Sequence, residues 1–174
     1  MPNEALLIID MLNDFVLEGA PLEVPDTRKI IPAIKREIAS ARKEGRPIFY
    51  ICDSHDRDDK EFSKFGWPVH AVTGTEGAEV VADLAPEKND IVIEKKTYLA
   101  FYDTDLDPIL KKLGIDSLIL TGCVTHICIL FTAVEAVPRG YSVTVPVDAV
   151  AGLAKEDHEA GLRIMKNVLG AKIV

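Results

Sequence analysis

Cys128 is the residue whose setting most suggests chemistry. It closes the segment Leu120-Thr121-Gly122-Cys123-Val124-Thr125-His126-Ile127-Cys128, between a β-like run (Ser117 to Thr121) and a helix-like run (Ile129 to Val137) that meets no breaker until Pro138. A thiol at a helix N-terminus faces unpaired N–H groups and the positive end of the helix dipole. Both stabilise the thiolate, which is the nucleophilic form. A free thiol of pKa about 8.5 is only slightly ionised at pH 7, so such a setting matters. Considered alone, a cysteine here is better explained as a small buried apolar residue. The other polar residues along the chain change that balance.

Those residues fall at the ends of apolar runs. Asp10 follows Ala5 to Ile9, Asp53 follows Pro47 to Cys52 with His55 two residues on, Lys95 follows Ile91 to Glu94, and Asp148 follows Tyr141 to Val147. An Asp, a Lys and a Cys at one sheet edge can converge on one pocket. There Asp10 would accept the thiol proton and Lys95 would place positive charge beside the thiolate. Singly, a strand-end Asp is more often a cap or turn residue and a strand-end Lys a solvated cation; the combination favours catalysis. Neighbours on a strand point to opposite sides, so only one of Lys95 and Lys96 can serve.

A second set is Asp53, His55 and His70. One carboxylate and two imidazoles suit Zn²⁺, Fe²⁺ or Mn²⁺, with open positions for water or substrate. His70 follows Trp67-Pro68, which stiffens the backbone and adds a large aromatic surface. Glu61 is a weaker candidate for a further ligand. Asp56, Asp58 and Asp59 read as a solvated acidic loop.

The elements that must position these residues alternate. Strand-like runs at Ala5–Ile9, Pro47–Cys52, Ile91–Glu94, Ser117–Thr121, Tyr141–Val147 and Ala171–Val174 are separated by helix-like runs. Asp26 is placed to cap a helix reaching Lys43 and closed by Gly45, with Pro32 predicting a kink or a later start. Further helices are expected over Ala78–Leu84, Asp105–Leu113, Ile129–Val137 and Lys155–Val168. Residues 53–77 show no clear period, and long irregular connections are often functional. Alternation of this kind predicts βαβ units, hence an α/β protein with a mainly parallel sheet and its site beyond the carboxyl ends of the strands.

Composition sets the limits. The 174 residues suit one domain, 1–174, with a substantial core. A net charge of −8 with no Lys/Arg block argues against a nucleic-acid partner. No apolar run approaches the length of a membrane span. The opening Met1-Pro2-Asn3-Glu4 lacks a basic leader region, and Cys52, Cys123 and Cys128 make no disulfide framework, so a reducing cytoplasm is the expected location. The expected partners are a small-molecule substrate and further copies of the chain in a homo-oligomer.

Three segments resemble the signatures of the isochorismatase-like cysteine hydrolases. They are Ile8-Ile9-Asp10-Met11-Leu12-Asn13-Asp14-Phe15, Lys95-Lys96-Thr97-Tyr98-Leu99-Ala100-Phe101 and Gly122 to Cys128, with Thr104-Asp105-Leu106 and Thr132-Ala133 also fitting. The resemblance runs from about Leu6 to Val150 and implies a three-layer α/β/α sandwich. Within the family, Asp53, His55, His70, Trp67-Pro68 and Gly74-Thr75-x-Gly77 look like the metal site of nicotinamidases. The family's lysine falls three residues before Tyr98, which selects Lys95. Leu12, Leu99 and His126 depart from the family's commoner Gln, Ser and acidic or Asn residues.

The resemblance implies hydrolysis of a small amide through a Cys128 thioester, with release of ammonia. On this reading the backbone N–H groups of Val124 and Cys128 form an oxyanion hole, and a cis peptide between Cys123 and Val124 aims the first. Phe15 and Trp67 pack on the substrate ring, and a divalent metal, zinc before iron or manganese, binds its nitrogen. Two other readings compete. One is a related hydrolase of another small amide, an N-carbamoyl compound or an isochorismatase-type vinyl ether, none of which needs the metal. The other is a non-catalytic binding module, disfavoured by the joint presence of Asp10, Lys95 and Cys128.

Overall fold

The computed structural model describes residues 3–174; Met1-Pro2, the start of the segment expected to lack a leader, lies outside the described residues. The chain runs β1 (Glu4–Ile9), α1 (Asn13–Val16), α2 (Thr27–Glu44), β2 (Ile48–Asp53), α3 (Lys60–Phe65), β3 (Ile91–Lys95), α4 (Leu106–Lys112), β4 (Ser117–Cys123), α5 (Leu130–Ala136), β5 (Ser142–Val145), β6 (Val150–Ala151), α6 (Lys155–Asn167) and β7 (Lys172–Ile173). The seven strands form one sheet in the order β3-β2-β1-β4-β5-β7, with β6 also against β4. Every strand pair is parallel.

The continuous apolar run of β1 is buried on both faces, as a central parallel strand must be. Ala5, Leu7 and Ile9 face a core shared with Leu106, Leu110, Ile129, Ala133 and Met165, which places α4, α5 and α6 on that side. Leu6 and Ile8 face Phe15, Ile30 and Ile34, which places α1 and α2 on the other. The result is the expected three-layer α/β/α sandwich. Among the described residues, no helix is long and apolar enough to cross a membrane.

Several local expectations are corrected. The helix expected over Ala78–Leu84 is two short 3₁₀ turns, Glu76–Ala78 and Ala82–Leu84. The segment 53–77 is not wholly irregular, because it contains α3. That helix has one buried residue, Phe62, too few to give a period, and its signals are the Asp59 cap and Gly66 in the left-handed conformation. The α2 helix begins at Thr27 and runs through Pro32. Asp26 stands at its start but makes no side-chain cap; it pairs with Lys29 at 2.6 Å instead. β5 ends at Val145, so Asp148 lies on a 3₁₀ turn, exposed and paired with Arg36, away from the other strand-end residues.

The strand order decides where a site can form. From β1 the chain adds β2 and β3 on one side, then returns to add β4 on the other. Beyond the carboxyl ends of β1 and β4 the connections diverge and leave a crevice, the usual ligand site of an open parallel sheet.

Candidate active site

Both strands at that crevice end in unusual backbone. Asp10, just after β1, has φ of 53°, donates its N–H to Ile51 O at 2.8 Å, and accepts the Asp53 N–H on Oδ1 at 2.9 Å. On β4, Gly122 has φ of 107°, and a Cβ there would lie 2.0 Å from Ile9 O, so only glycine lets the strands approach. The Cys123–Val124 peptide that follows is cis. Next comes one π-helical turn, Thr125–Ile129, in which Ile129 N–H reaches back to Val124 O at 3.3 Å. Cys128 lies inside this turn, not ahead of the helix as expected. Among the described residues, the Val124 N–H has no acceptor, so it remains available to a ligand.

Lys95 sits at the centre. It pairs in register with Asp53 at the ends of β3 and β2, and its side chain is fully buried. Nζ lies 2.9 Å from Asp10 Oδ2 and 3.7 Å from Cys128 Sγ, and it contacts Asp53 Oδ1 more closely still. Lys96 points away, exposed, and pairs with Asp56 at 2.7 Å. One buried cation thus faces two carboxylates. Burial raises the Asp53 carboxyl, but Lys95 and His55 more than offset this and hold it below its ordinary value. Asp10 is left as the weaker acid, pushed up to about 6 by burial and by the Asp53 charge. The Lys95 ammonium is not aligned for a hydrogen bond to Asp10 Oδ2, so that oxygen keeps its lone pairs.

The cysteine differs from expectation in one respect. Burial pushes the Cys128 thiol well up; Lys95 opposes this and the two carboxylates reinforce it. The resting group is the thiol, and placement near a helix start does not by itself ionise it. Asp10, Asp53 and Cys128 nevertheless bring carboxylate oxygens and sulfur within 4.8 Å of one another. Cys123 is buried too, and its S–H donates to Asp10 O at 3.2 Å.

Asp53, His55 and His70 also converge, each offering a ligand atom within 4.8 Å of the others. His55 Nδ1 donates to Asp59 Oδ2 at 3.1 Å, and His70 Nδ1 donates to Pro68 O at 2.7 Å. Each Nδ1 is therefore the protonated nitrogen, leaving Nε2 as the free donor of electrons. His55 Nε2 is buried with no hydrogen-bond partner and lies 3.8 Å from Asp53 Oδ2. Burial lowers the His55 pKa, yet Asp53 and Asp59 outweigh it and raise it to about 9. A divalent cation suits this arrangement, since it replaces that proton and satisfies the orphaned nitrogen. Burial holds His70 below its ordinary range. Glu61 does not join the set, and Asp59, expected in solvent, is instead bound to a candidate ligand.

Phe15, Trp67, Asp10, Asp53, His70, Val124 and Cys128 line one pocket, so the predicted ring-packing residues share it with both polar sets. Sequence reasoning missed Tyr98, Leu22, Val24, Ile127 and Leu153, which together with Cys123 complete the lining. Tyr98 was visible only as part of the lysine segment. Its hydroxyl accepts the Trp67 indole N–H at 2.7 Å, and its ring sits between Phe65 and Phe131. Asp14 was also missed. It accepts the Ala71 N–H at 2.8 Å and so ties the His70 loop to α1.

Comparisons with known proteins identify the family and match the overall fold. The Isochorismatase domain family matches residues 4–173. An Arabidopsis thaliana protein named "probable inactive nicotinamidase" is 35% identical over 175 residues, covering 95% of this chain and 89% of that protein. The pyrazinamidase of Pyrococcus horikoshii, solved in complex with zinc, superposes with a TM-score of 0.92 at 36% identity, covering 99% of each chain. The N-carbamoylsarcosine amidase of Thermoplasma acidophilum superposes with a TM-score of 0.88 at 34% identity, covering 98% of this chain and 94% of that one. Three near-equal similarities carry three different descriptions, so likeness alone does not select a substrate. What they share is the family: the chain belongs to the isochorismatase family of hydrolases.

Proposed function

We propose that this chain is a nicotinamidase, hydrolysing nicotinamide to nicotinate and ammonia through a Cys128 thioester. The observation that carries the reading is that Asp10, Cys128, Asp53 and His70 line one pocket, with Lys95 and His55 buried against those carboxylates, and that apart from the Cys123 thiol the remaining lining is aromatic and aliphatic. The pocket lining contains no Arg or Lys, and it already contains the carboxylates of Asp10 and Asp53. A neutral aromatic amide suits such a lining. A substrate bearing its own carboxylate, such as an N-carbamoyl amino acid, would meet like charge without a matching cation.

In the proposed mechanism the thiol proton of Cys128 moves to Asp10 Oδ2 and the sulfur bonds to the carboxamide carbon. The carbonyl oxygen becomes an oxyanion, which accepts the N–H groups of Val124 and Cys128. Such donors are worth roughly 3 kcal/mol each. The C–N bond then breaks as Asp10 returns its proton to the nitrogen, and ammonia leaves with the acyl group held as a thioester. A water attacks that carbon while Asp10 takes its proton; the C–S bond breaks and the thiol is restored. Lys95 keeps Asp10 oriented and stabilises negative charge near the sulfur. Phe15 and Trp67 hold the ring. A divalent ion held by Asp53, His55 and His70, zinc being the best candidate, would supply a Lewis acid for the ring nitrogen.

The test is an ammonia-release assay with nicotinamide, pyrazinamide and N-carbamoylsarcosine, on protein loaded with metal and on protein stripped by chelator. Release from the two aromatic amides, greatest in the metal-loaded protein, is expected. No release from either after addition of zinc, iron or manganese would overturn the reading and leave a metal-independent amidohydrolase.

A further inference from the structure

We infer that Asp59 is a positioning residue for the metal set: it fixes which nitrogen of His55 faces Asp53 and His70 and ties that ligand to the start of α3. The inference rests on the metal reading above and concerns a residue outside its ligand set.

The two imidazoles of the set are oriented by different means. His70 Nδ1 donates at 2.7 Å to the carbonyl of Pro68, two residues away, so its own loop orients it. His55 Nδ1 donates at 3.1 Å to Asp59 Oδ2. The other oxygen of that carboxylate, Oδ1, accepts the Glu61 N–H at 2.9 Å and so caps α3. One carboxylate therefore makes two bonds, one to the ligand and one to the helix. Helix α3 in turn presents Phe62, whose ring packs edge-on against His55 and His70 with centroids 5.2 and 5.1 Å away. A carboxylate can only accept from a neutral imidazole or its cation, so it leaves Nε2 of the neutral ring as the ligating atom. Outer partners of this kind fix the tautomer, and their removal typically weakens metal binding 10- to 100-fold.

Asp59→Ser separates the two bonds. Serine is a good helix cap, but its side chain is too short to reach His55 Nδ1. The measurement is the Zn²⁺ dissociation constant, by competition with a chelator, for the unsubstituted protein and for the variant, with circular dichroism as the check on folding. A dissociation constant raised about 10- to 100-fold in a folded variant is expected. An unchanged constant in the folded variant would overturn the role of Asp59 alone. Absence of Zn²⁺ binding by the unsubstituted protein would overturn the metal set itself and this inference with it. Should the variant not fold, ¹⁵N NMR of the unsubstituted, Zn²⁺-loaded protein decides. The expected spectrum has His55 Nε2 bound to metal and Nδ1 protonated; a metal on Nδ1 would overturn the inference.

Discussion

The pocket has two halves, built by different means. The half holding Asp10, Lys95 and Cys128 hangs on the sheet: Lys95 is in ladder register with Asp53, Asp10 directly follows β1, and Cys128 stands on the π-helical turn that follows β4. The half holding His55 and His70 lies on the connection between β2 and β3. Its shape comes from single long-range bonds: His55 N–H to Ala71 O at 2.9 Å, Thr73 N–H to His55 O at 2.9 Å, and Ala71 N–H to Asp14. Asp53 belongs to both, with Oδ1 on Lys95 and Oδ2 toward His55. The contrast suggests a division of labour. The proposed bond-breaking groups stand at the sheet's strand ends, and the proposed ligand-selecting groups on a loop that can be reshaped without disturbing the sheet.

The largest effect belongs to the strand half. Cys128→Ala should lower turnover by about 10⁴-fold or more while leaving the fold intact, since the sulfur is the proposed attacking atom and a small residue replaces a small one. Cys123→Ala should retain most of the activity. Rate assays showing the reverse would move the nucleophile to the other thiol and break the comparison at its root.

Next come the groups around the sulfur. Asp10→Asn should slow turnover by roughly 10²- to 10⁴-fold, because an amide cannot carry the proton. Lys95→Ala should slow it similarly and should also destabilise the fold, by about 3–5 kcal/mol, since it leaves two buried carboxylates uncompensated. Urea unfolding measures the second effect. Lys96→Ala should be mild in both, its ion pair with Asp56 being exposed. A severe Lys96→Ala with a mild Lys95→Ala would contradict the register of β3 against β2.

The loop half should respond differently. His70→Ala should lower bound metal, read by elemental analysis, and raise KM for nicotinamide more than it lowers kcat, because its proposed part is in holding the ring. A loss confined to kcat with metal content unchanged would place His70 with the bond-breaking groups and erase the distinction. The smallest effect is at the pocket rim. Tyr98→Phe deletes the acceptor of the Trp67 indole N–H, worth about 1 kcal/mol, so KM should rise roughly fivefold with kcat nearly unchanged.

Legibility in the sequence followed the same division. Asp10 and the Lys95-Lys96 pair stand at the ends of apolar runs and Cys128 between a β-like and a helix-like run, so local pattern pointed to them, and the family resemblance selected Lys95. Their partners were less visible. Asp59 looked like one more acidic loop residue because its bond to His55 and its cap of α3 leave no periodic trace. Asp14 and Tyr98 stood inside recognised segments, but their bonds reach 57 residues to Ala71 and 31 residues to Trp67. Asp148 was placed wrongly for the converse reason: an apolar run continues to Val147 although β5 stops at Val145.

The sequence by itself determined the alternation of strands and helices, the sheet edge that carries the site, and the identities of the residues gathered there. Those follow from local pattern, because burial on both faces and the period of a strand are written in neighbouring residues. Tertiary structure alone decided the charge states and the orientations. One ammonium set between two buried carboxylates makes Asp10 the weaker acid, burial returns Cys128 to the thiol, and Asp59 engages Nδ1 of His55 and leaves its buried Nε2 unpartnered. Each depends on distances between residues far apart in the chain and on the water excluded around them, and neither is expressed in the order of the amino acids.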